Sequence, residues 1–217
     1  MCGRYALVLS GKIADLPFVE ISDQLELELP WECYNVAPTM KVPILDSDNR
    51  LKFSTWGLIP HWAKEPPKRP LINARVETAS EKPSFRDAYR SHRCAVPSSG
   101  FFEWTGSSKE RMPHFIPPAG GDLLWFAGLA CLRKGPHPIL SHTVLTRSSE
   151  ETRVARLHDR CPVTLSQDSL EPWLQGEVGW EELKGGDPFA EPFRVTGRVN
   201  KADHDSPENL QPLEEVL

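Results

Sequence analysis

A chain of 217 residues, 39% hydrophobic and 25% charged, is long enough to bury one sizeable core and short enough to be a single domain over residues 1–217. Five cysteines, an odd number without Cys-x-x-Cys spacing, argue against a disulfide framework or zinc ribbon, and no apolar run is long enough to span a bilayer or act as a signal peptide. A reducing, cytoplasmic setting away from the membrane follows. The net charge of −5 disfavours nucleic acid as a partner for the chain as a whole.

Twenty-one prolines favour many turns and short strands over a helix bundle. In chain order, Phe18–Leu29 has helical spacing of its apolar residues. Strand-like stretches rich in β-branched and aromatic residues follow at Val42–Leu45, Leu51–Ile59, Cys94–Pro97, Phe101–Thr105, Leu123–Leu132 and Ile139–Thr146. Capping boxes at Ser84–Asp87 and Ser148–Glu151 predict short helices, the second running to about Leu157 and delivering His158-Asp159-Arg160 at its end. Residues 199–217, with Pro207 and Pro212, read as a tail lying over the body. The expected class is α+β, one compact domain of mainly antiparallel strands with a few short helices.

Charge is unevenly distributed. Between His61 and Cys94 lie Lys64, Lys68, Arg69, Arg75, Lys82, Arg86, Arg90 and Arg93 against four acids, whereas Asp15–Glu32 and Gln167–Glu191 are strongly acidic. A basic face on an acidic body is a usable phosphate footprint, although a solvated mixed-charge surface would give the same pattern. Trp56 and Trp62 flank the basic stretch and could stack on bases or belong to the core.

Three sets of residues could do chemistry. Removal of Met1 would leave Cys2 with an α-amine and a thiol on one residue. That amine has a pKa of roughly 7.7–8.0, far below the ~10.4 of lysine, so it can attack an aldehyde near neutral pH. The thiol can then close a five-membered thiazolidine at high effective molarity. Glu103, between Phe101, Phe102 and Trp104, is expected to be partly desolvated and suited to general acid/base work, unless strand alternation turns it to solvent. His158 is the best placed of the seven histidines to move a proton. Asn73, Arg75 and Glu77 alternate on an extended segment and would share one face. No His/Asp/Glu set has metal-ligand spacing, and the residues call for no cofactor.

Together these segments resemble the SOS response-associated peptidase (SRAP) family of abasic-site crosslinking proteins. The resemblance rests on Met1-Cys-Gly-Arg-Tyr5, Tyr34-Asn-Val-Ala-Pro38, Trp56-Gly-Leu-Ile-Pro60 with Trp62, Ile72-Asn-Ala-Arg75 with Glu77, Arg93-Cys94 with Pro97, and Gly100-Phe-Phe-Glu-Trp104. Leu145-Thr146, His158-Asp-Arg160 with Pro162-Val163, and Val199-Asn200 complete an ordered set that spans nearly the whole chain. Arg147 and Cys161 depart from the family's usual residues.

The resemblance implies covalent capture of abasic sites in single-stranded DNA, including sites at single/double-strand junctions, by a monomer. It places such a protein at the nucleoid in a bacterium and in the nucleus of a eukaryote. It implies Cys2 as nucleophile, Asn73 holding its amine, Glu103 opening the deoxyribose ring, and His158 assisting imine formation and release. Arg4, Trp62, Arg75, Lys82, Thr146 and Arg160 would bind the DNA, and autoproteolytic exposure of Cys2 would accompany the family's peptidase name. Two other classes fit parts of the sequence: an N-terminal-nucleophile hydrolase of the glutamine amidotransferase kind, which also begins Met-Cys-Gly, and a non-covalent reader of single-stranded or modified DNA.

Overall fold

A computed structural model of the chain describes residues 2–9, 20–21, 31–107, 109–120, 123–183 and 186–213. Among these, strands dominate. In order they are β1 (Tyr5–Leu9), β2 (Glu20–Ile21), β3 (Trp31–Val36), β4 (Lys41–Leu45), β5 (Arg50–Trp56), β6 (Asn73–Arg75), β7 (Arg93–Ser98), β8 (Gly100–Thr105), β9 (Met112–Ile116), β10 (Leu124–Arg133), β11 (Ile139–Ser148), β12 (Arg160–Pro162), β13 (Thr164–Leu165) and β14 (Phe193–Arg194). Three α-helices intervene, α1 (Val76–Ala79), α2 (Arg86–Ser91) and α3 (Gln167–Gln175). The α+β class is therefore found, and the six strand-like stretches of the sequence correspond to β4, β5, β7, β8, β10 and β11.

The strands form two sheets. One runs β14-β9-β8-β1-β3. In the other, β11, β10, β7, β4 and β5 pair in succession, and β5 pairs back onto β11 in parallel, which closes a ring. Closure removes the edges that would otherwise invite pairing with other chains. β10 reads Leu-Trp-Phe-Ala-Gly-Leu-Ala-Cys and is buried along this whole run, because both of its faces are covered. A Cβ at Gly128 would lie 2.8 Å from the Cys94 Sγ and 3.0 Å from the Thr143 carbonyl oxygen, so only glycine lets β7, β10 and β11 approach this closely. Tyr5 of β1 packs edge-on against Trp56 at 5.1 Å and Phe126 at 6.2 Å, joining the first sheet to the ring.

Several local expectations are corrected. Most of the expected helix Phe18–Leu29 lies outside the described residues. Its Glu20–Ile21 pairs instead as a strand, parallel to Arg50–Leu51. Helix α2 begins after Phe85, which has no side-chain cap, rather than after a capping Ser84. Ser148 ends β11 and a turn follows at Glu150 and Glu151, and a 3₁₀ helix, Arg153–Arg156, starts at the Thr152 cap. Cap residues satisfy backbone N–H groups wherever the chain turns, and tertiary packing selects which of several candidates is used. Glu77 falls in α1, not on the extended face of Asn73 and Arg75, because the chain turns helical at Val76.

Residues 197–210 lie against β3. Asn35 Nδ2 donates to the carbonyls of Val199, Lys201 and His204, and Tyr34 N–H donates to Asp205 at 2.6 Å. Among the described residues no helix is long and apolar enough to cross a membrane, and no cluster of three or more His, Cys, Asp or Glu residues could hold a metal ion.

Candidate active site

A cavity of about 620 Å³ opens where the start of β1, the end of β8, the turn after the 3₁₀ helix and the segment at Asn200 meet. Gly3, Arg4, Glu103, Trp104, Arg111, His158 and Asn200 are among its lining residues. Cys2 is fully buried behind Gly3. Burial, and then the nearby Glu103, push its thiol far above the ordinary range, so sulfur is held as the neutral SH.

The strand pairing explains why Glu103 is inside. β8 pairs with β1 on one side and β9 on the other. Phe102 packs against Phe115 on one face, while Phe101 meets Phe126 and Phe189 on the other. Both faces are covered, so alternation does not turn Glu103 out to the surface, and it is 2% exposed on the face of Phe101, at the wall of the cavity. Gly100 sets this strand's entry: its φ is +138°, and a Cβ there would lie 2.3 Å from the Phe115 ring. Burial raises the Glu103 carboxyl above its usual range, opposed by nearby positive charge that includes His158. A carboxyl whose pKa burial raises keeps its proton to higher pH than a free one and can serve as a general acid or base.

Asn73 opens β6, which runs parallel to β11 with Asn73 opposite Val144. Its Nδ2 donates to the Cys2 carbonyl oxygen at 2.7 Å, and its Oδ1 is buried without a partner among the described residues. The resemblance implied a contact to the amine of Cys2; the contact found is to its carbonyl.

His158 follows the 3₁₀ helix, with its N–H donating to the Val154 carbonyl at 2.9 Å. Its Nδ1 lies 3.0 Å from the Arg160 N–H and 2.8 Å from Asp159 Oδ1. These contacts require opposite protonation of Nδ1. Asp159 is 81% exposed, so its attraction is screened by water, whereas the Arg160 bond belongs to the half-buried turn.

The expected DNA-binding residues divide. Arg4 joins the cavity, but its donors go to neutral oxygens: Asn35 Oδ1 at 2.7 Å, the Val199 carbonyl at 2.9 Å and the Asn200 carbonyl at 3.4 Å. Arg160 is engaged at both terminal nitrogens by Glu77, at 2.7 and 2.8 Å, and also donates to the Thr146 carbonyl. Thr146 is buried in β11, with its hydroxyl 3.4 Å from the Ala74 carbonyl oxygen. Trp62, Arg75 and Lys82 are exposed, and none of them lines the cavity.

Trp104, Arg111 and Asn200 line the cavity without having been singled out. Trp104 and Asn200 lay within the recognised motifs. Arg111, just before β9, carried no local signal, because only the β8–β9 hairpin folds it back.

Comparison with known proteins places the chain. The family described as SOS response associated peptidase (SRAP) matches residues 1–201, and the chain belongs to that family. It is 34% identical to the Bacillus subtilis protein named Abasic site processing protein YoqW, over 97% of this chain and 99% of that one. Identity to Abasic site processing protein YedK of Escherichia coli is 28%, over 84% and 83% of the two chains. A crystal structure from Bacteroides thetaiotaomicron shares the fold with a TM-score of 0.81 at 22% identity, covering 97% of this chain and 99% of the other. One from Bordetella bronchiseptica does so at 0.73 and 20% identity, covering 90% and 100%.

Proposed function

We propose that the protein processes abasic sites in single-stranded DNA by capturing them covalently, as a monomer, through a thiazolidine at Cys2 once Met1 has been removed. The observation that carries this reading is the meeting of Cys2, Asn73 and Glu103 beside a cavity walled by arginine and tryptophan. The names of the relatives, abasic site processing proteins from Bacillus subtilis and Escherichia coli, supply the substrate class.

Protonated Glu103 gives its proton to the ring oxygen of the deoxyribose hemiacetal as its other carboxyl oxygen takes the C1′ hydroxyl proton, breaking the bond from C1′ to the ring oxygen and opening the sugar to the aldehyde. The neutral Cys2 amine adds to C1′, and loss of water leaves the imine. His158 takes up and returns protons in this addition and dehydration. Asn73 Oδ1, the open acceptor, fits an N–H of the amine, while its Nδ2 holds the Cys2 carbonyl. The thiol sulfur then bonds to C1′ and its proton passes to nitrogen, closing the thiazolidine. No thiolate is required beforehand, which agrees with a thiol that burial keeps protonated. Release of Met1 by the chain itself would account for the peptidase in the family's name.

Incubation with a single strand carrying one abasic site, followed by a denaturing gel and mass spectrometry of the N-terminus, tests the proposal. The expected result is a heat-stable adduct on a chain beginning at Cys2. The same yield with Cys2→Ala would overturn it.

A further inference from the structure

Arg111 is a charged wall of the cavity with no part in the chemistry above. Its side chain is exposed, with the guanidinium 4.8 Å from the centre of the Trp104 ring. Among the described residues no carboxylate pairs with it. Asn200 ties this wall together: its Oδ1 accepts from Trp104 Nε1 at 2.6 Å, its Nδ2 donates to the Arg111 carbonyl at 3.2 Å, and its own carbonyl accepts from Arg4. Arg4 in turn spends its donors on uncharged oxygens, so its charge is not neutralised. Burial, and then the charge of Arg111, lower the pKa of Arg4, so the wall holds two mutually repelling cations. An anion would relieve that repulsion. A guanidinium stacked on an indole keeps its in-plane N–H groups free, in the fork that matches a phosphate.

We propose that Arg111, stacked on Trp104 and held in place through Asn200, grips a phosphodiester of the DNA strand beside the lesion. Arg4 is the locked charge behind it and Arg111 the arm that reaches the ligand. The inference rests on the proposed function for the identity of the strand and adds a binding residue to it.

The test uses a single strand in which tetrahydrofuran replaces the abasic sugar. This analogue lacks the aldehyde, so binding is read without covalent reaction. Arg111→Gln is expected to weaken binding about tenfold and to reduce the magnitude of the log–log salt slope by about 0.7, one phosphate contact on a single strand. Arg111→Lys should recover the slope and only part of the affinity. Replacing the flanking phosphates one at a time by neutral methylphosphonate should show one position that weakens the natural protein and leaves Arg111→Gln unaffected. Identical affinity and slope for Arg111→Gln, or equal sensitivity of both proteins at every phosphate, would overturn the proposal. Thermal melting of both variants separates a folding defect from a binding one. Failure of the natural protein to form an adduct on an aldehyde-bearing strand would instead remove the covalent reading and leave the Arg111 result standing.

Discussion

Asn73 Nδ2 donates to the Cys2 carbonyl oxygen at 2.7 Å across 71 residues of sequence. The bond anchors the residue that carries both nucleophiles in the proposed reaction, because β1 begins at Tyr5 and Cys2 lies outside the sheet ladder. Asn73→Ala is expected to leave the Cys2 carbonyl unpaired, at about 1–3 kcal/mol, and to slow adduct formation roughly tenfold or more by loosening the attack geometry. Single-turnover gels with excess protein measure the rate. A rate equal to that of the natural protein would show that Asn73 does not orient Cys2.

Glu103, a general acid in the proposed reaction, carries a cost in stability. Glu103→Gln should slow capture by about 10²–10⁴-fold, the range for loss of one general acid/base. The same change should raise the melting temperature at neutral pH. The buried carboxyl has its pKa raised, so the folded state binds the proton more tightly than the unfolded one. Its contribution is therefore most favourable below the ordinary value of 4.5 and is lost as pH rises through the folded value. Glutamine removes that loss. Melting scans at neutral and mildly acid pH, run on both proteins, check the sign.

Arg160 and Glu77 form a two-pronged ion pair, which assigns them to holding the His158 turn against α1. Burial alone would raise Glu77, but its hydrogen bonds with Arg160 more than reverse this and hold its carboxyl below the usual range. The stabilisation is present above 4.5 and is lost as pH falls through the folded value. Glu77→Gln should thus flatten the acid side of the stability profile below that point. Arg160→Ala should lower the melting temperature while changing the salt slope of DNA binding less than Arg75→Ala does. Arg75 is exposed, and loss of one single-strand phosphate contact is worth about 0.7 in slope.

His142 is fully buried, with Nδ1 on the Ser54 hydroxyl at 3.0 Å, and burial lowers its pKa to about 3. Here the unfolded state takes up the proton first. Stability is therefore complete above the ordinary 6.5 and declines as pH falls from 6.5 towards 3, with a slope approaching about 1.4 kcal/mol per pH unit. Urea titrations of the natural protein and of His142→Gln should give a shallower decline for the variant. Parallel curves would assign the acid loss to other groups.

Trp62 is 59% exposed, so its indole is available to a ligand. Trp62→Ala should leave unfolding within about 0.5 kcal/mol, as for other surface changes. It should weaken single-strand binding by about 1–3 kcal/mol if a base stacks on the ring. A large drop in melting temperature would return Trp62 to a structural role.

The motif residues were legible because they are local. Gly100-Phe-Phe-Glu-Trp104 reads as a strand from its own composition, and β8 is that strand. Capping boxes were less legible: Ser, Thr and Glu near a turn offer several registers, and packing chose Thr152 over Ser148. The extended reading of Asn73, Arg75 and Glu77 failed for a similar reason, since nothing within the segment marks the helical turn at Val76.

The amino-acid order alone was enough to settle the family and the strand-rich class and to point to candidate reactive groups, because these depend on residue type and on short-range pattern. Folding decided their environments. Glu103 is buried because β1 and β9 flank its strand and aromatic residues cover both faces. Arg160 faces Glu77, 83 residues away, and Arg4 reaches the carbonyl of Val199 across 195 residues. Arg111 comes beside Trp104 through a hairpin and beside Arg4 through Asn200. Burial, ion pairing and pKa are properties of groups brought together in space, and partners so far apart in the chain leave no trace in a local pattern.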